Sequence, residues 1–151
     1  MHILLVSTRA RVVMAQQTLL PAASRAADLV RRDLAGQAVT GGQLLVLLVA
    51  ASTQGLSKIN IADAAHLDRS TVGDIVRRLQ ARGHVSRRGS ATNARAKEVK
   101  LTKHGWAVLA VVAQLSPNIR QHLKKLSPRG TEEFLTYLDR ATDALRHRNA
   151  R

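Results

Sequence analysis

Ser70, Thr71, Asp74 and Arg77 recur at offsets i, i+1, i+4 and i+7, which places all four on one face of a helix. Arg69 and Arg78 flank them. Short hydroxyls let a helix backbone approach a surface closely, and arginines farther along reach phosphate oxygens or guanine edges. An aspartate on the same face accepts from cytosine N4 and repels phosphates. A second basic group follows, with Arg87 and Arg88 before a turn-rich loop and Arg95 and Lys97 closing it. Together with Asn93 in that loop, these are the candidate contacts to a nucleic-acid duplex.

Catalytic chemistry has no comparable constellation. Six histidines (His2, His66, His84, His104, His122 and His147) are scattered without a His-x-x-x-His pair, so neither a zinc-protease pattern nor another metal site is expected. His66 and His104 read as surface or cap residues. No glycine-rich phosphate loop and no Gly-x-Ser-x-Gly elbow occurs, and no cofactor is implied. Asp68 and Ser70 already serve as helix cap and DNA contact, so an enzyme is not expected. Cysteine is absent, which excludes disulfides, thiolate metal sites and thiol-based peroxide sensing, and is compatible with a cytoplasmic protein.

Charge points the same way as the motif. The chain of 151 residues carries 24 Lys+Arg against 10 Asp+Glu, a formal net charge of +14. Residues 68–103 hold 10 basic and 3 acidic side chains, a net of +7 in 36 positions, while the other 115 positions share the remaining +7. A basic patch that coincides with a helical reading face is the electrostatic footprint of nucleic-acid binding. Single-stranded DNA and RNA surfaces use aromatic stacking platforms. The three aromatics here, Trp106, Phe134 and Tyr137, lie outside the patch, so double-stranded DNA is the expected partner.

The elements that must position these residues follow from apolar periodicity. Residues 57–67 read as a helix capped by Ser57, with Ile59, Ile61, Ala62, Ala65 and Leu67 at apolar positions. Asp68 caps the next helix, whose stripe is Val72, Ile75, Val76 and Leu79, and Gly83 stops it. Residues 84–88 and 97–101 alternate as a strand pair, Val85 with Arg87 and Val99 with Leu101. Helix, turn, helix and basic hairpin make a winged helix-turn-helix, with the wing arginine in or beside the minor groove.

On the N-terminal side, Thr40 and Gln43 form a capping box ahead of residues 44–51, an all-apolar helix expected at the buried centre and ended by Gly55. A helix from residue 18 to Gly36 precedes it, with Pro21 in its first turn. Residues 1–17 are open between helix and extended chain. Beyond the hairpin, Thr102 caps a helix through Trp106, Val108, Leu109, Val111, Val112 and Leu115, which Pro117 interrupts near Ser116. Ser127 and Pro128 start the last helix, whose stripe of Phe134, Leu138, Ala141 and Leu145 forms a packing seam, within the protomer or against a partner. The longest apolar run is far shorter than the ~20 residues of a membrane span, and residues 3–6 are too short for a signal-peptide core.

The ordered set Thr40-Gly41-Gly42-Gln43, Ile61-Ala62, Leu67-Asp68-Arg69-Ser70-Thr71-Val72, Leu79-Gln80-Ala81-Arg82-Gly83-His84-Val85, Arg87-Arg88 and Leu101-Thr102-Lys103-His104-Gly105 resembles the MarR family of bacterial regulators. The resemblance spans residues 40–105 and departs at two places. The family's Asp-x-Arg wing signature is Asn93-Ala94-Arg95 here, and the reading helix has Gly73-Asp74 where a hydroxyl or amide residue followed by a basic one is common. It implies a mainly α protein with a small β-wing. Residues 1–39 would form an N-terminal extension and dimerisation helix, 40–103 the winged helix-turn-helix, and 104–151 the C-terminal dimerisation helices, in one compact domain. A short third strand at Ser57-Lys58 belongs to the same pattern.

Burying terminal helices across a two-fold axis gives a homodimer that presents two reading helices to successive major grooves, roughly 34 Å apart. The site is then an inverted repeat, and the resemblance implies a triangular dimer acting as a repressor. It also implies a small aromatic or carboxylated effector in the crevice between the dimerisation helices and the winged region. There Trp106 offers an apolar wall, and Arg25, Arg31 and Arg32 offer charge. The alternative is an architectural DNA-binding protein of the same fold without effector control.

Overall fold

The computed structural model describes residues 10, 19–31, 39–53, 55–89, 97–126 and 128–151. Its helices are α1 (Leu20–Val30), α2 (Gly41–Ser52), α3 (Lys58–Ala65), α4 (Arg69–Ala81), α5 (Lys103–Gln114), α6 (Ser116–Leu126) and α7 (Pro128–Asn149). Strands β1 (Val85–Gly89) and β2 (Lys97–Leu101) pair antiparallel between α4 and α5. The expected class, mainly α with a small β-wing, is the observed one.

The centre is α2. Every residue from 43 to 51 is buried, and the helix touches α1, α3, α4, α5, α7 and β2. Each fully buried leucine among Leu44, Leu45, Leu47 and Leu48 contributes roughly 2 kcal/mol of transfer free energy. The helix starts as its sequence requires: Thr40 Oγ1 accepts from the Gln43 N–H at 3.2 Å, and the Gln43 side chain accepts from the Thr40 N–H at 3.1 Å. Gly41 is needed for packing, because a Cβ there would sit 2.2 Å from Ser24 Oγ on α1. Pro21 lies in the first turn of α1, as expected. Leu29 of α1 is 37% exposed, and the buried stripe of the helix runs through Ala23, Ala26, Ala27 and Val30. The stop at Gly36 and residues 1–9 and 11–18 lie outside the described residues.

The interruption at Pro117 is real. Leu115 caps α5 and α6 begins at Ser116, with Pro117 in its first turn, where a missing N–H removes no helical bond. An Arg120–Asp139 ion pair ties α6 to α7. The seam residues Phe134, Leu138, Ala141 and Leu145 are all buried within the single chain, because α7 folds back along α2. Of the two settings the sequence left open for that seam, the protomer's own core is the one it occupies. No helix among the described residues is long and apolar enough to cross a membrane.

Candidate nucleic-acid interface

Each end of the reading unit is set by a local cap. Ser57 Oγ accepts from the Asn60 N–H at 3.3 Å and starts α3. That cap limits the expected third strand to one bridge, Ser57 with Glu98, since Lys58 is already helical. The Val99 N–H to Leu56 carbonyl bond, 2.9 Å, completes this edge. Ile59 is not a core residue: it lies 47% exposed, while Ile61, Ala62 and Ala65 carry the packing. Leu67 lies past the helix end, half-buried in the turn.

Asp68 caps α4, accepting from the Thr71 N–H at 2.8 Å and from the Thr71 hydroxyl. These bonds, the hydroxyl's first, hold the Asp68 carboxyl below the usual aspartate range. Val72, Val76 and Leu79 are buried and Ile75 is half-buried, so the stripe read from sequence anchors the helix. Gly83, at φ 77°, ends α4 in a conformation that favours glycine.

The opposite face is open. Arg69, Ser70, Thr71, Asp74, Arg77 and Arg78 are all exposed. Three of them are engaged locally, because the Thr71 hydroxyl donates to Asp68 and Arg77 pairs with Asp74. Gly73 has nothing within 4 Å of a built Cβ, which leaves a shallow spot beside Asp74.

In the hairpin, Val85 pairs with Leu101, Arg87 with Val99 and Gly89 with Lys97. Arg88 and Lys97 are exposed. Arg87 is half-buried beside Val99, and its Nε is buried without a hydrogen-bond partner. Asn93 and Arg95 lie outside the described residues.

The hairpin is fastened to α5 by His84. Its carbonyl accepts from the Thr102 N–H at 3.1 Å, and the Thr102 hydroxyl donates to the Gly83 carbonyl. A Cβ on Gly105 would come within 2.2 Å of the His84 oxygen, so only glycine permits this approach. His84 is 3% exposed, and burial, then Arg82 and His104, pushes its pKa down.

Trp106 is half-buried in the first turn of α5 and lines two depressions. The larger, about 590 Å³, is completed by Ala144, His147, Arg148 and Arg151. The Arg148 guanidinium stands 5.1 Å from the Trp106 ring centroid. The resemblance placed a crevice among the helices that are now α1 and α2 and the start of α5; the smaller depression beside Trp106 includes Ala50 of α2, and the larger is walled by α7. Arg25 and Arg31 are exposed on α1, with Arg31 near Asp28 at 4.0 Å, and Arg32 lies outside the described residues. His147, Arg148 and Arg151 were not singled out from sequence. A basic C-terminal end is visible there, but its approach to Trp106 is a tertiary event.

A helix-turn-helix with an exposed basic face, followed by an antiparallel hairpin, defines a winged helix-turn-helix DNA-binding protein. Residues 39–97 match the MarR family model. It is similar to wild-type MarR from E. coli in its apo form, with 22% identity over 84% of this chain and 90% of the other and a TM-score of 0.59. It is similar to BpsR of Bordetella bronchiseptica, described by the regulation of its DNA binding by 6-hydroxynicotinic acid, with 21% identity, 82% and 88% covered and a TM-score of 0.57. PcaV from Streptomyces coelicolor, solved with its natural ligand, shares 26% identity over 70% of this chain and 76% of the other, with a TM-score of 0.53. Among curated proteins, no sequence matches the chain.

Proposed function

We propose that the protein is a homodimeric cytoplasmic repressor that binds an inverted-repeat operator in double-stranded DNA and leaves it when a small aromatic or carboxylated effector binds. One observation carries the reading: the face of α4 bearing Arg69, Ser70, Thr71, Asp74, Arg77 and Arg78 is exposed, while its other face is locked into the core. The same six residues were the sequence candidates. Arg87, Arg88 and Lys97 extend the basic surface onto the hairpin; Asn93 and Arg95 are the loop candidates read from the sequence, for phosphate contacts that set register and for a wing arginine in the minor groove.

Two copies about a two-fold axis place two such helices in grooves roughly 34 Å apart. The effector part of the reading is supported by Trp106, which offers an apolar wall with Arg148 beside it. The ligand-regulated or ligand-bound relatives BpsR and PcaV support it as well.

Selection from a random duplex pool tests the reading. The expected result is enrichment of one inverted repeat, bound by a dimer in light scattering, with affinity falling steeply as salt rises. Enrichment of no duplex, or of a single unrepeated half-site by a monomer, overturns it.

A further inference from the structure

His66 is the one non-glycine residue with positive φ among the described residues, at φ 54° and ψ 35°. It caps α3 at the turn into α4. Glycine takes up this conformation freely, whereas a side chain is strained there, so an imidazole held at this position calls for a use. Its Nε2 lies 2.6 Å from Glu133 Oε1 on α7. Two residues earlier, the Ala64 carbonyl accepts a hydrogen bond from the Tyr137 hydroxyl, also on α7. Burial and the nearby Glu133 hold the Tyr137 hydroxyl in its protonated, donating form. Glu133 and Tyr137 are one helical turn apart, so a single face of α7 grips the turn at two points. Apolar packing resists separation but tolerates sliding; two directional hydrogen bonds fix an angle.

We infer that His66 is a positioning residue which, with Glu133 and Tyr137, latches the turn between α3 and α4 to α7 and sets the angle at which α4 meets DNA. The inference rests on the DNA-binding reading above. It also gives that reading a route for regulation. The latch is near the start of α7, and Ala144 and Arg148 of the Trp106 cleft are near its end. The span of 11 residues from Glu133 to Ala144 is roughly 16 Å of one rigid helix.

The test compares the full-length protein with His66→Gly and Glu133→Ala. Glycine suits the αL position, so His66→Gly should keep or raise the melting temperature; Glu133→Ala leaves that position untouched. Binding is measured to the duplex that the unaltered protein enriches from a random pool, and amide exchange is followed over residues 58–81. Each variant should speed exchange there and weaken binding by about tenfold, and the double variant should lose no more than either single one. Unchanged exchange and affinity in His66→Gly would make His66 only a helix cap and overturn the inference. Faster exchange with unchanged affinity would also overturn it, because the latch would then not position α4. If the unaltered protein enriches no duplex, the DNA reading itself fails, and unchanged or faster exchange still decides whether the latch exists.

Discussion

Asp74 and Arg77 form an ion pair one turn apart on the exposed face of α4. Both side chains are more than half exposed, so the pair adds only about 0.3–0.5 kcal/mol to stability. Its weight lies in geometry. The carboxylate engages one guanidinium nitrogen before DNA arrives. It also places a negative charge on a face otherwise suited to phosphate.

Asp74→Ala should therefore change the preferred base sequence and strengthen non-specific binding, since an acceptor for cytosine N4 and a repulsion to phosphate are both removed. Selection from a random duplex pool, run side by side for parent and variant, reads the change. The same preferred site from both would assign Asp74 to the helix rather than to the readout.

Arg95→Ala should weaken DNA binding without dissociating the dimer. If one phosphate contact is lost, the slope of log affinity against log salt falls by about 0.9. Titrations at several salt concentrations measure it, and an unchanged slope and affinity remove Arg95 from the interface.

Two glycine-to-alanine changes should move stability in opposite directions. Gly105→Ala forces a methyl against the His84 carbonyl and should destabilise by about 1–3 kcal/mol. Gly73→Ala meets open space within α4 and should stabilise by up to about 1 kcal/mol through helix propensity. Denaturant midpoints decide, and a neutral Gly105→Ala would contradict the close seat of α5 on the hairpin.

His84 makes stability pH-dependent. Its folded pKa is pushed below the ordinary value of 6.5, by burial first. In the window beneath 6.5 the unfolded chain binds the proton before the folded one does. Stability is thus full above that value, falls as pH drops through the window, and levels off once the folded ring is protonated too. Denaturation of parent and His84→Gln at about pH 8 and about pH 5 isolates this contribution, because other titrating groups are common to both. The parent should lose more stability than the variant on acidification; equal losses would argue that His84 accepts a proton in place.

An effector must bind two states of the dimer differently, and the coupling to DNA is reciprocal, typically about 1–3 kcal/mol. Aromatic acids, phenols and their thioesters screened by thermal shift should yield a compound that lowers operator affinity, with Trp106→Ala and Arg148→Ala losing the response. With no cysteine in the chain, oxidants should not act through a thiol switch. A broad panel without effect, together with occupancy of many unrelated sites in the cell, would favour an architectural protein of the same fold.

Most of the helix-turn-helix was legible because its signals are local. Thr40 with Gln43, Ser57, Asp68 and Thr102 act within three residues of themselves, and each caps the helix it was expected to cap. Pro117 breaks a helix through its own missing N–H. The stripe of Val72, Val76 and Leu79 follows from periodicity and defines the exposed face by exclusion, which is why those six candidates on α4 emerge together.

The sequence by itself thus determined the caps of four helices, the break at Pro117 and which face of α4 is free, since caps, breakers and apolar spacing operate over one or two turns. Only the tertiary structure decided what covers each remaining face. The seam of α7 could have met a partner or its own core with the same spacing, and its return along α2 settled that choice. That return also brought Arg148 to Trp106, Glu133 to His66 and Tyr137 to Ala64. Such pairs lie tens of residues apart, and no local periodicity specifies which of many arginines or carboxylates will arrive. Packing around an all-apolar α2 selects them, because that helix can be covered only from several directions at once.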